Sequence, residues 1–212
     1  MPIHLQRYVE QQVNTFFQYE MDVGDCVKNA FARTASCLSH SSNKYDKREN
    51  AISVYNSTQY CLFLYNLSRQ LFEVDGNGER AEKVYLLNKL LNSVDLFYEI
   101  ELPTIWSCEH PLGSVMGRAH YSDYFYFYQG CTVGGNTRML NPVIGEHVIM
   151  FSNSKVLGNS EIGDYVLLAA NAYVKDEIIP CNSIVFGESP NLIIKQKNRE
   201  EIAQTISTIW RD

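Results

Sequence analysis

From Ile144 onward an apolar residue returns at nearly every sixth position: Ile144, Met150, Val156, Ile162, Leu168, Val174, Pro180 and Phe186. An amphipathic helix repeats every 3.6 residues and a half-buried strand every 2, so this rhythm belongs to a different architecture. A second column stands four residues further along each rung, at Val148, Ser154, Ser160, Val166, Ala172, Ile178 and Ile184, and every member is small or β-branched. Glycine follows the first column at Gly145, Gly163 and Gly187. A hexapeptide-repeat solenoid needs this arrangement. Each six-residue rung is one short strand and a tight corner, and three rungs close a triangular coil. The first column stacks in the narrow interior, and the second must be small or branched to fit beside the corner. Successive coils then pair at the ~4.8 Å strand spacing, leaving edges only at the two ends. Such a solenoid winds left-handed, against the general right-handed crossover rule, so its hand follows from the repeat signature. The competing reading of the rhythm is an ordinary antiparallel sheet with chance spacing.

The first half of the chain has another texture. Residues 1–92 hold no proline beyond Pro2, and their apolar residues recur at helical spacing. Tyr60, Leu62, Leu64, Tyr65, Leu67, Leu71 and Phe72 are apolar nearly all round, which predicts a buried helix. The stretch Val74–Arg80 carries the breakers Asp75-Gly76-Asn77-Gly78, and a second helix follows with Val84, Leu86, Leu87, Leu90 and Leu91 on its buried side. The polar stretch Ser39–Asn50 reads as a loop. The predicted class is therefore α+β: an N-terminal helical domain over 1–93, a left-handed parallel β-helix over 94–192, and a C-terminal helical tail over 193–212.

Composition narrows the function. A net charge of −6 argues against nucleic acid or an anionic membrane surface as partner, since both need a basic footprint. No apolar run approaches the ~20 residues of a membrane span, and the N-terminus lacks a signal-peptide pattern. Six cysteines without paired spacing read as reduced thiols of a cytoplasmic chain, with no metal site.

Candidate chemistry gathers where the two halves join. Asp95 precedes His110 by fifteen residues, a little under one eighteen-residue coil, so a return could stack the two side chains. A carboxylate bonded to one imidazole nitrogen fixes the tautomer, and the other nitrogen can take a proton from an attacking hydroxyl. Val94-Asp95, then Glu109-His110-Pro111-Leu112-Gly113, then Gln129–Asn136 (QGCTVGGN), then the rungs ending in VFGESPNLI resemble the bacterial serine acetyltransferases. That family carries a VD pair, a D-H-x-x-G element fifteen residues on, a Q-x-V-T-L-G-G stretch and a terminal G-V-P-A element. The likeness covers roughly residues 55–192.

The resemblance implies a homotrimer, or a dimer of trimers, with acetyl-CoA as co-substrate in the groove between subunits. It makes His110 the catalytic base and Asp95 its orienting carboxylate. Glu109 matches an aspartate that helps to bind the acceptor. Gly134 and Gly135 match backbone positions near the thioester, where N–H groups could steady an oxyanion. Ser152 and Ala170 match small residues along the pantetheine arm. Lys175, with Lys155, Lys195 and Lys197, is a candidate for the nucleotide phosphates.

Two departures bear on the acceptor. The family holds its acceptor's carboxylate with an arginine-histidine pair on an extended loop. Here that loop reads NTRMLNPVIG, with Leu140 and Asn141 at the matching positions and Arg138 nearby but out of register. The family's N-terminal DPA motif also has no clear counterpart; Asn50-Ala51 falls near it. Three readings stay open: L-serine as acceptor, a sugar hydroxyl of a surface-polysaccharide precursor, or an inactive trimeric binding module. A zinc carbonic anhydrase on the same fold would need His110, His120 and His147 to converge. The run His120–Gly130 (HYSDYFYFYQG) predicts Phe125 and Phe127 inside the coil, with Tyr124, Tyr126 and Tyr128 outside at a subunit contact or as a platform for a sugar ring.

Overall fold

A computed structural model describes residues 2–46 and 51–211. Four helices come first: α1 (Pro2–Phe17), α2 (Cys26–Ser39), α3 (Ser57–Asp75) and α4 (Glu79–Asn92). Among the described residues no helix is long and apolar enough to cross a membrane. The Asn56 side chain caps α3 by accepting from the Gln59 N–H, and Gly76 ends it at φ +68°, a left-handed position that glycine takes without penalty. α3 and α4 thus form the helical hairpin around the predicted turn. Val9, Val13, Phe63, Leu64, Leu67, Leu71, Ala81, Val84 and Leu87 share the core of this half. Leu90 and Leu91 do not join it; they stand 54% and 39% exposed, and the buried side of α4 ends on Asn88 and Asn92 instead. Asn88 is tolerated there because its amide donates to the Cys61 carbonyl. The end of the polar Ser39–Asn50 stretch, including Asn50, lies outside the described residues.

Beyond Pro103 the chain winds into a left-handed parallel β-helix of about four turns. Its coils supply β1 (Trp106–Cys108), β2 (Val115–Met116), β3 (His120–Tyr121), β4 (Phe125–Phe127), β5 (Thr132–Gly134), β6 (Val143–Ile144), β7 (Ile149–Met150), β8 (Lys155–Leu157), β9 (Glu161–Ile162), β10 (Val166–Leu168), β11 (Tyr173–Lys175), β12 (Ile178–Ile179) and β13 (Ser183–Phe186). Three flat faces result, β1-β4-β7-β10-β13, β2-β5-β8-β11 and β3-β6-β9-β12, with every neighbour parallel. Ile144, Met150, Val156, Leu168 and Val174 are fully buried along the axis, as the six-residue column predicts.

The column slips at its end. Ile179 pairs with Ile162 and Val185 with Leu168, each seventeen residues on, so the last coil is one residue short. Ile179 and Val185 take the interior, and Pro180 is exposed. Ser183 replaces Ile184 in the second column, and Ile178 stands 72% exposed. The turn after β11 holds only Asp176 and Glu177, where the turn after β8 holds Gly158, Asn159 and Ser160.

The C-terminal segment is not helix alone. β14 (Ile193–Gln196) runs antiparallel to β13 and covers the edge of the first face, and then α5 (Arg199–Ile206) lies along the outside of that face. Asn198 caps α5 by accepting from the Glu201 N–H, and Glu200 and Glu201 occupy its first turn, where the helix dipole favours them. Ile202, Ile206, Ile209 and Trp210 pack on Tyr126, Ile149 and Leu167 of the face.

Candidate active site

His110 sits on the corner between β1 and β2. Its φ of +52° puts a non-glycine residue in the left-handed region, a conformation that costs about 1–3 kcal/mol and must be held by its surroundings. What holds it is the pair of strands it joins: the Glu109 N–H donates to the Phe127 carbonyl, and the Gly113 N–H to the Ser93 carbonyl. The imidazole is 72% exposed, with its Nε2 4.0 Å from Glu109 Oε1. The proton-accepting atoms therefore face solvent at the rim of the second face.

Asp95 lies in the layer below. Its N–H donates to the Ser114 carbonyl and its own carbonyl accepts from the Met116 N–H, so it pairs opposite Val115, five residues past His110. Its carboxylate accepts from the Tyr85 hydroxyl at 2.8 Å and from Lys89 Nζ at 2.6 Å. That contact raises the Lys89 pKa, the Asp95 hydrogen bond being the first cause and the Tyr85 hydroxyl the second. Burial, and then the Asp95 hydrogen bond, push the Tyr85 hydroxyl up. Asp95 and His110 are thus on neighbouring layers, but among the described residues no hydrogen bond joins them. The sequence spacing led to the expectation of a paired carboxylate and imidazole, and it missed the two α4 side chains that hold the carboxylate.

Glu109 is held from the outside. The Tyr126 hydroxyl donates to its Oε2 at a long 3.4 Å, and its charge adds to burial in pushing the Tyr128 hydroxyl up to about 12. Asp46 is also near enough to feel Glu109; burial raises its pKa first, while the hydroxyl of Ser41, 2.7 Å from Oδ2, works against that rise.

The other expected site residues lie elsewhere. Gly134 ends β5, in register with Leu157, and Gly135 opens the loop to β6. A Cβ on Gly134 would meet only Leu157 Cδ2 at 4.0 Å. A Cβ on Gly135 would strike the Asn141 side chain and approach the Leu140 carbonyl to 3.0 Å, so this loop return needs glycine. His110 stands at the corner before β2, and this glycine pair at the corner after β5. The width of the second face separates them, roughly 10 Å for the three residue steps from Ser114 to Gly117. Ser152 and Ala170 stack on successive corners, the Asn171 N–H donating to the Ser152 carbonyl. Arg138 and Lys175 share a cleft of about 450 Å³ with Asn136, Asn159 and Asp176. Asn141 belongs to a different cleft of about 410 Å³, beside Arg118, His120 and Glu101. Arg138 and Asn141 therefore line different clefts. Lys155 lies on the same face as Lys175, whereas Lys195 lies over the Phe186 ring and Lys197 pairs with Glu201 on the tail.

The three histidines of the carbonic anhydrase reading occupy separate places. His120 lines the Asn141 cleft, and His147 is sandwiched between Tyr124 and Tyr165 at centroid distances of 4.2 and 4.5 Å. Among the described residues no three His, Cys, Asp or Glu side chains cluster to hold a metal. Phe125 and Phe127 fill the coil as expected, but Tyr126 is buried by Trp210 of the same chain and Tyr128 stacks on Phe151. Tyr124 and Tyr126 are therefore covered from within, which the sequence did not reveal because Trp210 is more than eighty residues away.

No family model matches the chain. Among known proteins it is 33% identical over 129 residues to a serine acetyltransferase of Staphylococcus xylosus, covering 56% of this chain and 59% of that one. A serine acetyltransferase of Synechococcus elongatus is 31% identical over 105 residues, 48% and 43% of the two chains. The matched stretch thus spans about half the length of these relatives. Among solved structures, the serine acetyltransferase of Vibrio cholerae superposes with a TM-score of 0.72 at 22% identity, over 93% of this chain and 81% of that one. A serine acetyltransferase in complex with CoA gives 0.65 at 17% identity, over 89% and 75%, and one in complex with cysteine 0.68 at 17%, over 92% and 72%. The chain is accordingly similar in sequence to serine acetyltransferases and shares their fold, a helical region followed by a hexapeptide-repeat β-helix.

Proposed function

We propose that the protein is an acetyl-CoA-dependent O-acetyltransferase that uses L-serine as acceptor and His110 as general base. The observation that carries this reading is an exposed imidazole on a strained corner, beside Glu109, in a chain whose sequence relatives are serine acetyltransferases. His110 takes the proton of the acceptor hydroxyl as its oxygen attacks the thioester carbonyl. Negative charge collects on the carbonyl oxygen, where the Gly135 N–H receives it, while the Gly134 N–H stays in the ladder with β8. The intermediate then expels the CoA thiolate, which takes the proton back from the imidazolium, and O-acetylserine leaves. Glu109 draws the acceptor's ammonium group. Arg138 meets its carboxylate, Asn141 lines a neighbouring cleft on the acceptor side, and Ser152, Ala170 and Lys175 line the path of acetyl-CoA.

The separation of His110 from the glycine pair favours a trimer in which one copy's base meets the next copy's glycines. Free thiols at all six cysteines suit the reducing cytoplasm. A sugar acceptor remains the second reading, because no arginine-histidine pair follows Gly135.

The test is thiol release from acetyl-CoA with L-serine, homoserine and a panel of nucleotide sugars. Activity on L-serine that His110→Ala lowers by at least about 10²-fold is expected. Wild-type turnover by His110→Ala would remove the base from the mechanism, and activity confined to a sugar would replace the acceptor.

A further inference from the structure

We propose that the C-terminal segment is an intramolecular brace that positions Glu109 beside His110, with Trp210 as its positioning residue. The inference rests on the reading of Glu109 and His110 as the acceptor side of a transferase site. Trp210 is 2% exposed. Its indole Nε1 is buried without a hydrogen-bond partner, so ring packing holds it. It meets Tyr126 edge-on at 5.7 Å and 90°, and Tyr124 at 5.8 Å and 82°. Tyr126 turns its hydroxyl toward Glu109, so the indole fixes the ring whose oxygen touches the carboxylate.

The backbone around Trp210 is itself fastened to the helical half. Ser41 and Trp210 form an antiparallel bridge; the Ser42 N–H donates to the Ile209 carbonyl at 2.8 Å and the Arg211 N–H to the His40 carbonyl at 2.7 Å. The Ser42 hydroxyl adds a bond to the Ser207 carbonyl at 2.9 Å. Residues 40–42 are thereby tied to the tail, and Ser41 in turn holds Asp46, the buried carboxyl that lies near Glu109. Upstream, α5 is anchored by Arg199, which lies 4.3 Å over the Tyr165 ring and donates to its hydroxyl. The segment thus makes two linked attachments: the indole holds Tyr126, whose hydroxyl reaches Glu109, and the backbone bonds hold residues 40–42. A helix that only covered an apolar face would need neither.

The experiment compares full-length wild type, Trp210→Ala, Trp210→Phe and Tyr126→Phe by two measurements. In acetyl transfer to L-serine, Trp210→Ala is expected to raise the acceptor KM roughly tenfold, the scale of one lost hydrogen bond to a charged group, with the acetyl-CoA KM within about twofold. Trp210→Phe, which keeps a ring against Tyr126, should recover most of the difference. Tyr126→Phe should raise the acceptor KM alone, without loss of thermal stability. In amide hydrogen exchange, Trp210→Ala should speed exchange at Ser42, and Trp210→Phe should restore protection. An unchanged acceptor KM in an active Trp210→Ala protein overturns the brace, as does an equal rise in both KM values. Unchanged exchange at Ser42 overturns it whatever the activity. A wild type inert toward L-serine and the other acceptors defeats the transferase reading, and the exchange data then decide the brace. If Trp210→Ala does not fold, Tyr126→Phe carries the kinetic arm: a rise in the acceptor KM alone supports the brace, and an unchanged acceptor KM or an equal rise in both overturns it.

Discussion

Asp95 has to choose between partners. Lys89 and Tyr85 hold its carboxylate, and a role in orienting His110 requires it to give up at least part of that hold. The exchange costs little. Lys89 is 47% exposed, and a solvent-exposed ion pair contributes under about 1 kcal/mol. If Asp95 orients the base, Asp95→Asn lowers kcat by about 10²-fold and leaves the acetyl-CoA KM nearly unchanged. Lys89→Met, which frees the carboxylate, should then hold or raise kcat. If Asp95 serves only to fasten α4 to the first coil, both variants lower the melting temperature and neither changes kcat by more than about twofold. Steady-state kinetics beside thermal melts separate the two. The spacing of Asp95 and His110 was legible in the sequence. The competitors were not, because Tyr85 and Lys89 project from a helix whose rotation depends on packing, and that rotation also leaves Leu90 and Leu91 outside.

At the scale of the elements, the coil was readable because each rung repeats one physical demand at a fixed interval. Legibility failed where the demand was met by a neighbour. Pro180 and Phe186 are apolar, so they continue the six-residue column in the sequence after the short turn at Asp176 and Glu177 has moved the interior to Ile179 and Val185. β14 was missed for another reason. Ile193–Gln196 is exposed throughout, so no alternation marks it as a strand. The corners carry their own signal, independent of the two columns. Asn153 and Asn171, eighteen residues apart, both sit at φ +63°, with Gly130 at +67° on the same corner one coil earlier. Asparagine tolerates this region and β-branched residues do not. Asn171→Val is therefore expected to destabilise the protein by about 1–2 kcal/mol, and Asn171→Gly to change it little. Urea unfolding of the two variants checks this; equal midpoints would mean that the corner does not hold its conformation in solution.

For the whole molecule, the decisive fact is that one chain spreads its candidate groups around a prism. The base stands at the first corner of the second face, the glycine pair at the far corner, and Arg138 and Asn141 in separate clefts. A thioester carbonyl can accept attack from a hydroxyl next to His110 only if the oxyanion donors lie within hydrogen-bond reach of the same carbon. The trimer proposed above would solve this without bending the coil, if the first corner of one copy faced the far corner of the next. Such a ring has a quantitative consequence. His110→Ala keeps its glycines and lacks a base. Gly134→Val keeps its base and should fold, because β-branched residues suit a strand and the nearest atom leaves room, but its side chain crowds the thioester. Each variant alone is expected to be nearly inactive. In trimers reassembled from an equal mixture, an interface takes its base from one copy and its glycines from the next. About a quarter of the interfaces then combine two intact halves, so about a quarter of wild-type activity should return on mixing. Thiol-release rates after co-refolding measure it. Activity that stays at the level of the separate variants would place base and glycines in one chain, and the acceptor would then have to bridge the face within a single subunit.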